Sequence, residues 1–222
     1  MDVVLNEHTS FGISYEIFDF VTEERVYFEQ DKSFMKENET IIFEVNHCKS
    51  LKHWDEFDRQ LYRVKITLTS EGKKYETFET FGLRTLEIYG YDIMLNKRKL
   101  SLRGTVEAGV FPLTGYPPTR TEEWVEILKI YKEYGLNHLR FHSWCPPKAA
   151  FEAADKMGFI FQVEVPVWIP DGKISKDTIV SDFMKYEAMN IIKNYGNHPS
   201  FMFLSMGNEL GSAQDKILHK IV

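Results

Sequence analysis

Residues 159–168 read FIFQVEVPVW, and residues 201–210 read FMFLSMGNEL. Each is a short apolar run that closes on polar or aromatic residues. Each lies just after a segment with helical spacing that ends at a glycine, Gly158 and Gly196 respectively. Runs of this length, bounded by turn signals, read as buried strands of a parallel sheet. Working back toward the N-terminus, NHLRFHS (137–143) and SLRGTVE (101–107) supply two more strands. Between them, Arg120–Tyr134 spaces Trp124, Ile127, Leu128, Tyr131 and Tyr134 on one helical face. Thr121 is placed to cap that helix, Glu122 and Glu123 suit its positive end, and Gly135 stops it. Pro146 and Pro147 open a second helix that runs to Met157, and residues 179–195 form a third. A further helix is expected from about Ser212. The order β-α-β-α-β-α-β implies a parallel sheet with right-handed crossovers.

Upstream of about residue 90 the period changes. Segment 61–69 alternates, with Tyr62, Val64, Ile66 and Leu68 on one face. SEGKK (70–74) is a turn and Tyr75–Phe81 its hairpin partner. FGISYEIF, RVYFEQ and the alternating set Ile41, Phe43 and Val45 give further strands. Short strands with frequent turns predict an antiparallel sandwich.

Composition excludes several classes. The 222 residues are 43% hydrophobic and 14% aromatic, too apolar for a disordered chain. The net charge of −6, without a Lys/Arg run, argues against a nucleic-acid groove. No apolar stretch reaches the ~18 residues of a membrane helix, and MDVVLNEHTS has no signal-peptide pattern. Cys48 and Cys145 make neither a disulfide framework nor a four-sulfur zinc site. The acidic run Asp55, Glu56 and Asp58 reads as a solvated loop. No phosphate-binding glycine loop or GxSxG elbow is present.

In parallel α/β folds the chemistry sits at the carboxyl ends of strands. The residues there are Glu107, then His142, Ser143 and Trp144, then Glu164 with Trp168, then Asn208 with Glu209. Glu164 stands between Val163 and Val165, where a carboxylate is costly unless paired. Carboxylates and aromatics at strand ends are the inventory for cleaving a glycosidic bond.

These residues resemble a known family. NHPSFMFLSMGNEL resembles the segment of glycoside hydrolase family 2 that carries its acid/base glutamate after an asparagine. LNKRKLSLRGTVE resembles that family's entry into its barrel. GLNHLRFHSWCPPKAAFEAADKMGFIFQVEVPVW resembles its second and third barrel strands. HWDEFDRQLYRVKITL and FGLRTLEI resemble the closing strands of its immunoglobulin-like sandwich. The resemblance implies an immunoglobulin-like β-sandwich over 1–88, incomplete at its N-terminus. It implies the first four βα units of a TIM barrel over 89–222, truncated. It implies part of a retaining β-glycosidase, with Glu209 as general acid and then base. Asn208 would hold the sugar's 2-hydroxyl, and His142, Glu164, Trp144, Trp168 and Glu107 would line the subsite. Neither a cofactor nor a metal is implied.

Where the family commonly reads Ser-His-Tyr-Pro after the second strand, this chain reads His142-Ser143-Trp144-Cys145-Pro146. The family's nucleophile lies near the seventh barrel strand, so the expectation is a segment that is inactive alone. Its open half-barrel edges are expected to favour self-association. The sugar, the linkage and the cellular location (periplasmic, secreted or cytoplasmic) are not specified by these residues. The rival reading is a non-catalytic carbohydrate-binding or interaction module, which has no use for Asn-Glu at the end of a buried strand.

Overall fold

A computed structural model describes residues 11–30, 51–168 and 178–210. The expected strand at Ile41–Val45 and the expected helix from Ser212 lie outside these residues. The chain divides into two compact units, residues 1–52 with 60–83, and residues 53–59 with 84–222.

The first unit holds an antiparallel sheet of four strands, β1 (Phe11–Asp19), β2 (Arg25–Gln30), β3 (Tyr62–Ser70) and β4 (Lys73–Phe81), in the order β2-β1-β3-β4. Its register places Tyr15 opposite Ile66 and Ile17 opposite Val64. That is one apolar face, as alternation requires. Tyr15, Ile17, Tyr62 and Leu68 are buried on it. The β3–β4 turn uses Glu71 and Gly72, both at positive φ, the conformation a two-residue hairpin demands.

The second unit contains a three-stranded antiparallel sheet, β5 (Leu86–Tyr89), β6 (Asp92–Leu95) and β7 (Arg98–Lys99). It also contains a parallel sheet of β8 (Gly104–Glu107), β9 (His138–Phe141), β10 (Ile160–Glu164) and β11 (Phe201–Ser205), paired in sequence order. Three helices intervene: α1 (Thr121–Glu133), α2 (Lys148–Met157) and α3 (Thr178–Tyr195). One face of β9 and β10 carries Leu139, Phe141, Phe161 and Val163, all fully buried with Trp124 and Leu128 of α1, Phe151 of α2 and Met184 of α3. Phe141 and Phe161 meet edge to face at 4.7 Å, and Phe151 stacks on Tyr195 at 4.5 Å. Burying each such ring contributes about 1.5–3 kcal/mol. The opposite face carries Arg140, Gln162 and Glu164.

Several expectations are corrected. The first parallel strand begins at Gly104 rather than Ser101, the third ends at Glu164 rather than Trp168, and the fourth ends at Ser205 rather than Leu210. Thr121 is not the cap of α1. Arg120 holds the N-cap position without a side-chain bond, and Thr121 Oγ1 donates instead to Glu152 Oε2 of α2 at 2.7 Å. Two of the three residues of the acidic run are not solvated, whereas Asp58 is exposed. Asp55 is buried, accepts from the amides of Phe57 and Asp58, and pairs with Arg98. Glu56 Oε2 accepts from Arg103 and from Asn137, tying this segment to the start of β9.

Candidate active site

The last strand is extended by its neighbour beyond regular pairing. Val165 N donates to Ser205 O, and Asn208 N donates to Val167 O, so that Trp168 and Asn208 form a parallel bridge. Gly207 makes this possible. Its φ is +143°, and a Cβ there would stand 2.5 Å from Val167 O. Glu209 then follows at φ +50°, outside strand geometry. This backbone turn, rather than a continuing strand, presents the Asn-Glu pair.

Two of the expected site residues, Glu164 and Asn208, meet around an arginine. Arg140 Nε donates to Glu164 Oε1 at 2.6 Å, and Arg140 Nη2 donates to Asn208 Oδ1 at 2.7 Å. Ser143 Oγ donates to Glu164 Oε2 at 3.1 Å. Glu164 is 1% exposed and Asn208 8%, so the guanidinium supplies the compensation that the buried carboxylate needs. A guanidinium has no acceptor, so it can meet only the Oδ1 side of Asn208. The Nδ2 amino group is thereby kept as the donor of that side chain.

A second group forms at Trp168, which is 57% exposed. Its indole Nε1 donates to Glu209 Oε2 at 2.8 Å, and its ring lies edge-on to His142 at 5.2 Å. One carboxylate oxygen of Glu209 is therefore held by the indole, and the other has no hydrogen-bond partner among the described residues.

Glu107 and Trp144 are placed differently. Glu107 Oε1 accepts from the amide of Gly109 in its own loop. Trp144 Nε1 donates to Glu107 O, and its ring packs on Phe111 and Phe141. Neither is hydrogen-bonded to Glu164, Asn208 or Glu209 among the described residues. The expected subsite did not include Arg140, and Ser143 stood only among the polar residues at strand ends. The available signal was an arginine between Leu139 and Phe141, as exceptional in an apolar strand as Glu164 in its own. Elsewhere, Asp155 of α2 accepts from Ser200 N and pairs with His198 Nδ1 at 2.6 Å, a buried brace between α2 and the start of β11.

No family profile matches the chain. A β-galactosidase of Thermoanaerobacterium thermosulfurigenes is 29% identical over 193 residues, which cover 81% of this chain and 25% of that protein. A β-glucuronidase structure from Ruminococcus gnavus superposes with a TM-score of 0.76 at 20% identity, covering 99% of this chain and 36% of the other. A glycosyl hydrolase family 2 member from Bacteroides cellulosilyticus gives a TM-score of 0.75 at 19% identity, covering 96% and 28%. The chain is related to glycoside hydrolase family 2. The chain spans about a quarter of the length of the curated β-galactosidase it matches.

Proposed function

We propose that this chain carries the acid/base side of a β-glycosidase site, borne on an immunoglobulin-like sandwich and the first four βα units of a TIM barrel. The observation that carries the reading is the Arg140–Glu164–Asn208 network beside the Trp168–Glu209 contact. It is supported by relatives that are β-galactosidases and by structural neighbours that are β-glucuronidases.

In this reading Glu209 protonates the leaving glycosidic oxygen from the carboxylate oxygen that Trp168 does not hold. In the second step the same group accepts a proton from water. Asn208, its Oδ1 fixed by Arg140, offers Nδ2–H to the sugar's 2-hydroxyl, a contact that strengthens as positive charge develops at the anomeric carbon. Trp168 and His142 flank the sugar. Glu164 keeps Arg140 in place rather than attacking, because both of its oxygens already accept hydrogen bonds within a fully buried setting.

A retaining site needs a second carboxylate about 5–5.5 Å from the first. Glu164 is committed to Arg140 and Ser143, and Glu107 is turned to its own loop. The second carboxylate therefore comes from outside the four strands. General acid catalysis alone gives about 10²–10⁴-fold, far short of what glycosidases achieve. The purified 222-residue chain is expected to show no turnover on a panel of aryl β-galactosides and β-glucuronides. Turnover that Glu209→Gln abolishes would overturn the requirement for an outside carboxylate.

A further inference from the structure

Beside the strand-end site, the second unit has a cavity of about 400 Å³ that the chemistry above does not use. Its walls include Pro117, Trp144, Pro146, Glu187, Asn190 and Tyr195. A volume of this order lies within the usual range for small-molecule sites. Glu187, Asn190, Ile191 and Asn194 follow the spacing i, i+3, i+4, i+7, so α3 turns a single face toward the Trp144–Pro147 loop.

The wall chemistry is specific. The indole N–H of Trp144 is already given to Glu107 O, so the ring meets the cavity as an apolar wall. With Pro117 and Pro146 it makes flat apolar walls of the kind that stack on the C–H side of a sugar ring. The carboxylate of Glu187 and the amide of Asn190 also line it. Glu187 has no hydrogen-bond or ion-pair partner among the described residues. It faces the Cys145 thiol and the Tyr195 phenol, both of which are pushed upward in pKa, first by burial and then by neighbouring groups that include this carboxylate. Both groups are therefore neutral near pH 7, the Cys145 thiol being directed to Pro146 O, and Glu187 is the one acidic side chain in the described lining. Among the described residues, neither lysine, arginine nor histidine lines the cavity. Such a surface suits a ligand that donates hydrogen bonds to a carboxylate, exchanges them with an amide and presents an uncharged ring face. It disfavours anions.

We propose that this cavity is a second carbohydrate site that binds a neutral pyranose, separate from the strand-end carboxylate and independent of the role given to Glu209. The test is a titration of the ¹⁵N-labelled 222-residue chain with methyl β-D-galactopyranoside, sodium D-glucuronate and tetramethylammonium chloride. Saturable shifts are expected at the Asn190 amide and the Trp144 indole N–H with the neutral glycoside. Glucuronate should bind about tenfold more weakly or not at all, and the hydroxyl-free cation should leave these signals in place. Glu187→Ala and Asn190→Ala, both helix-compatible, should each weaken the glycoside by about tenfold, roughly the loss of one good hydrogen bond, with the thermal midpoint as a check on folding. The proposal is overturned by any of four results. These are no saturable shift with the glycoside, shifts confined to Asn208 and Trp168, glucuronate or tetramethylammonium binding as well as the glycoside, or folded variants that bind like the parent chain.

Discussion

Arg140 is the residue on which the site turns. It is the sole cationic partner of Glu164 among the described residues, and it also orients Asn208. Removing one member of a buried pair leaves the other charge without compensation. Arg140→Ala is therefore expected to lower stability by about 3 kcal/mol, read as a reduced midpoint in urea unfolding. Arg140→Lys should recover only part of it, because a single ammonium cannot replace a planar fork with two acceptors. A loss below about 0.5 kcal/mol in Arg140→Ala, the size of an ordinary surface change, would contradict the network. Cys145 gives a pH dependence. Burial, and secondarily Glu187, raises its thiol from 9.0 to about 12. Above pH 9 the unfolded chain loses that proton while the folded chain keeps it, so stability is full below pH 9 and falls as pH rises toward 12. Tyr131 and Tyr195, raised from 10.0 chiefly by burial, act in the same direction. Cys145→Ser should make the decline shallower between pH 9 and 12 in denaturation followed by circular dichroism. An unchanged slope would contradict this origin.

At the scale of elements, what could be read from the sequence was whatever repeats locally. Alternation from Tyr62 to Leu68 located β3, and glycines 135, 158 and 196 located the ends of all three helices. Contacts between residues far apart in the chain carried no periodic signal. Thr121 looked like a cap because its type and position fit one, yet a glutamate 31 residues later takes its hydroxyl. The acidic run looked solvated because Arg98, Arg103 and Asn137 lie well downstream in the chain. Glu164 and Asn208 were legible as costly polar residues at strand ends, but their common partner Arg140 emerged only from sheet register. Within the parallel sheet, β8 and β11 are the outer strands, each paired on one side among the described residues, whereas β3 is paired on both. Outer strands exchange and associate more readily. Hydrogen exchange should therefore be faster in 104–107 and 201–205 than in 62–70, with protection rising at higher protein concentration as edges pair. A monomer with equal protection in all three would contradict the half-barrel reading.

For the whole molecule, two kinds of architecture serve one end. The second unit stacks helices on one face of the parallel sheet, which frees the other face and the strand ends for Arg140, Glu164, Asn208, Trp168 and Glu209. The apolar side is filled by Phe141, Phe151, Phe159 and Phe161, all fully buried. A rigid apolar layer of this kind holds the polar groups of the other face in fixed positions. The central claim is that Glu209 is the acid that this scaffold presents. The most direct test compares aryl β-glycosides of poor and activated leaving groups in an active enzyme bearing these 222 residues, with and without Glu209→Gln. The rate of the glycosylation step should fall by about 10²–10⁴-fold for poor leaving groups, and far less for activated ones, which depart without a proton. Equal losses on both kinds of substrate would show that Glu209 is not the acid.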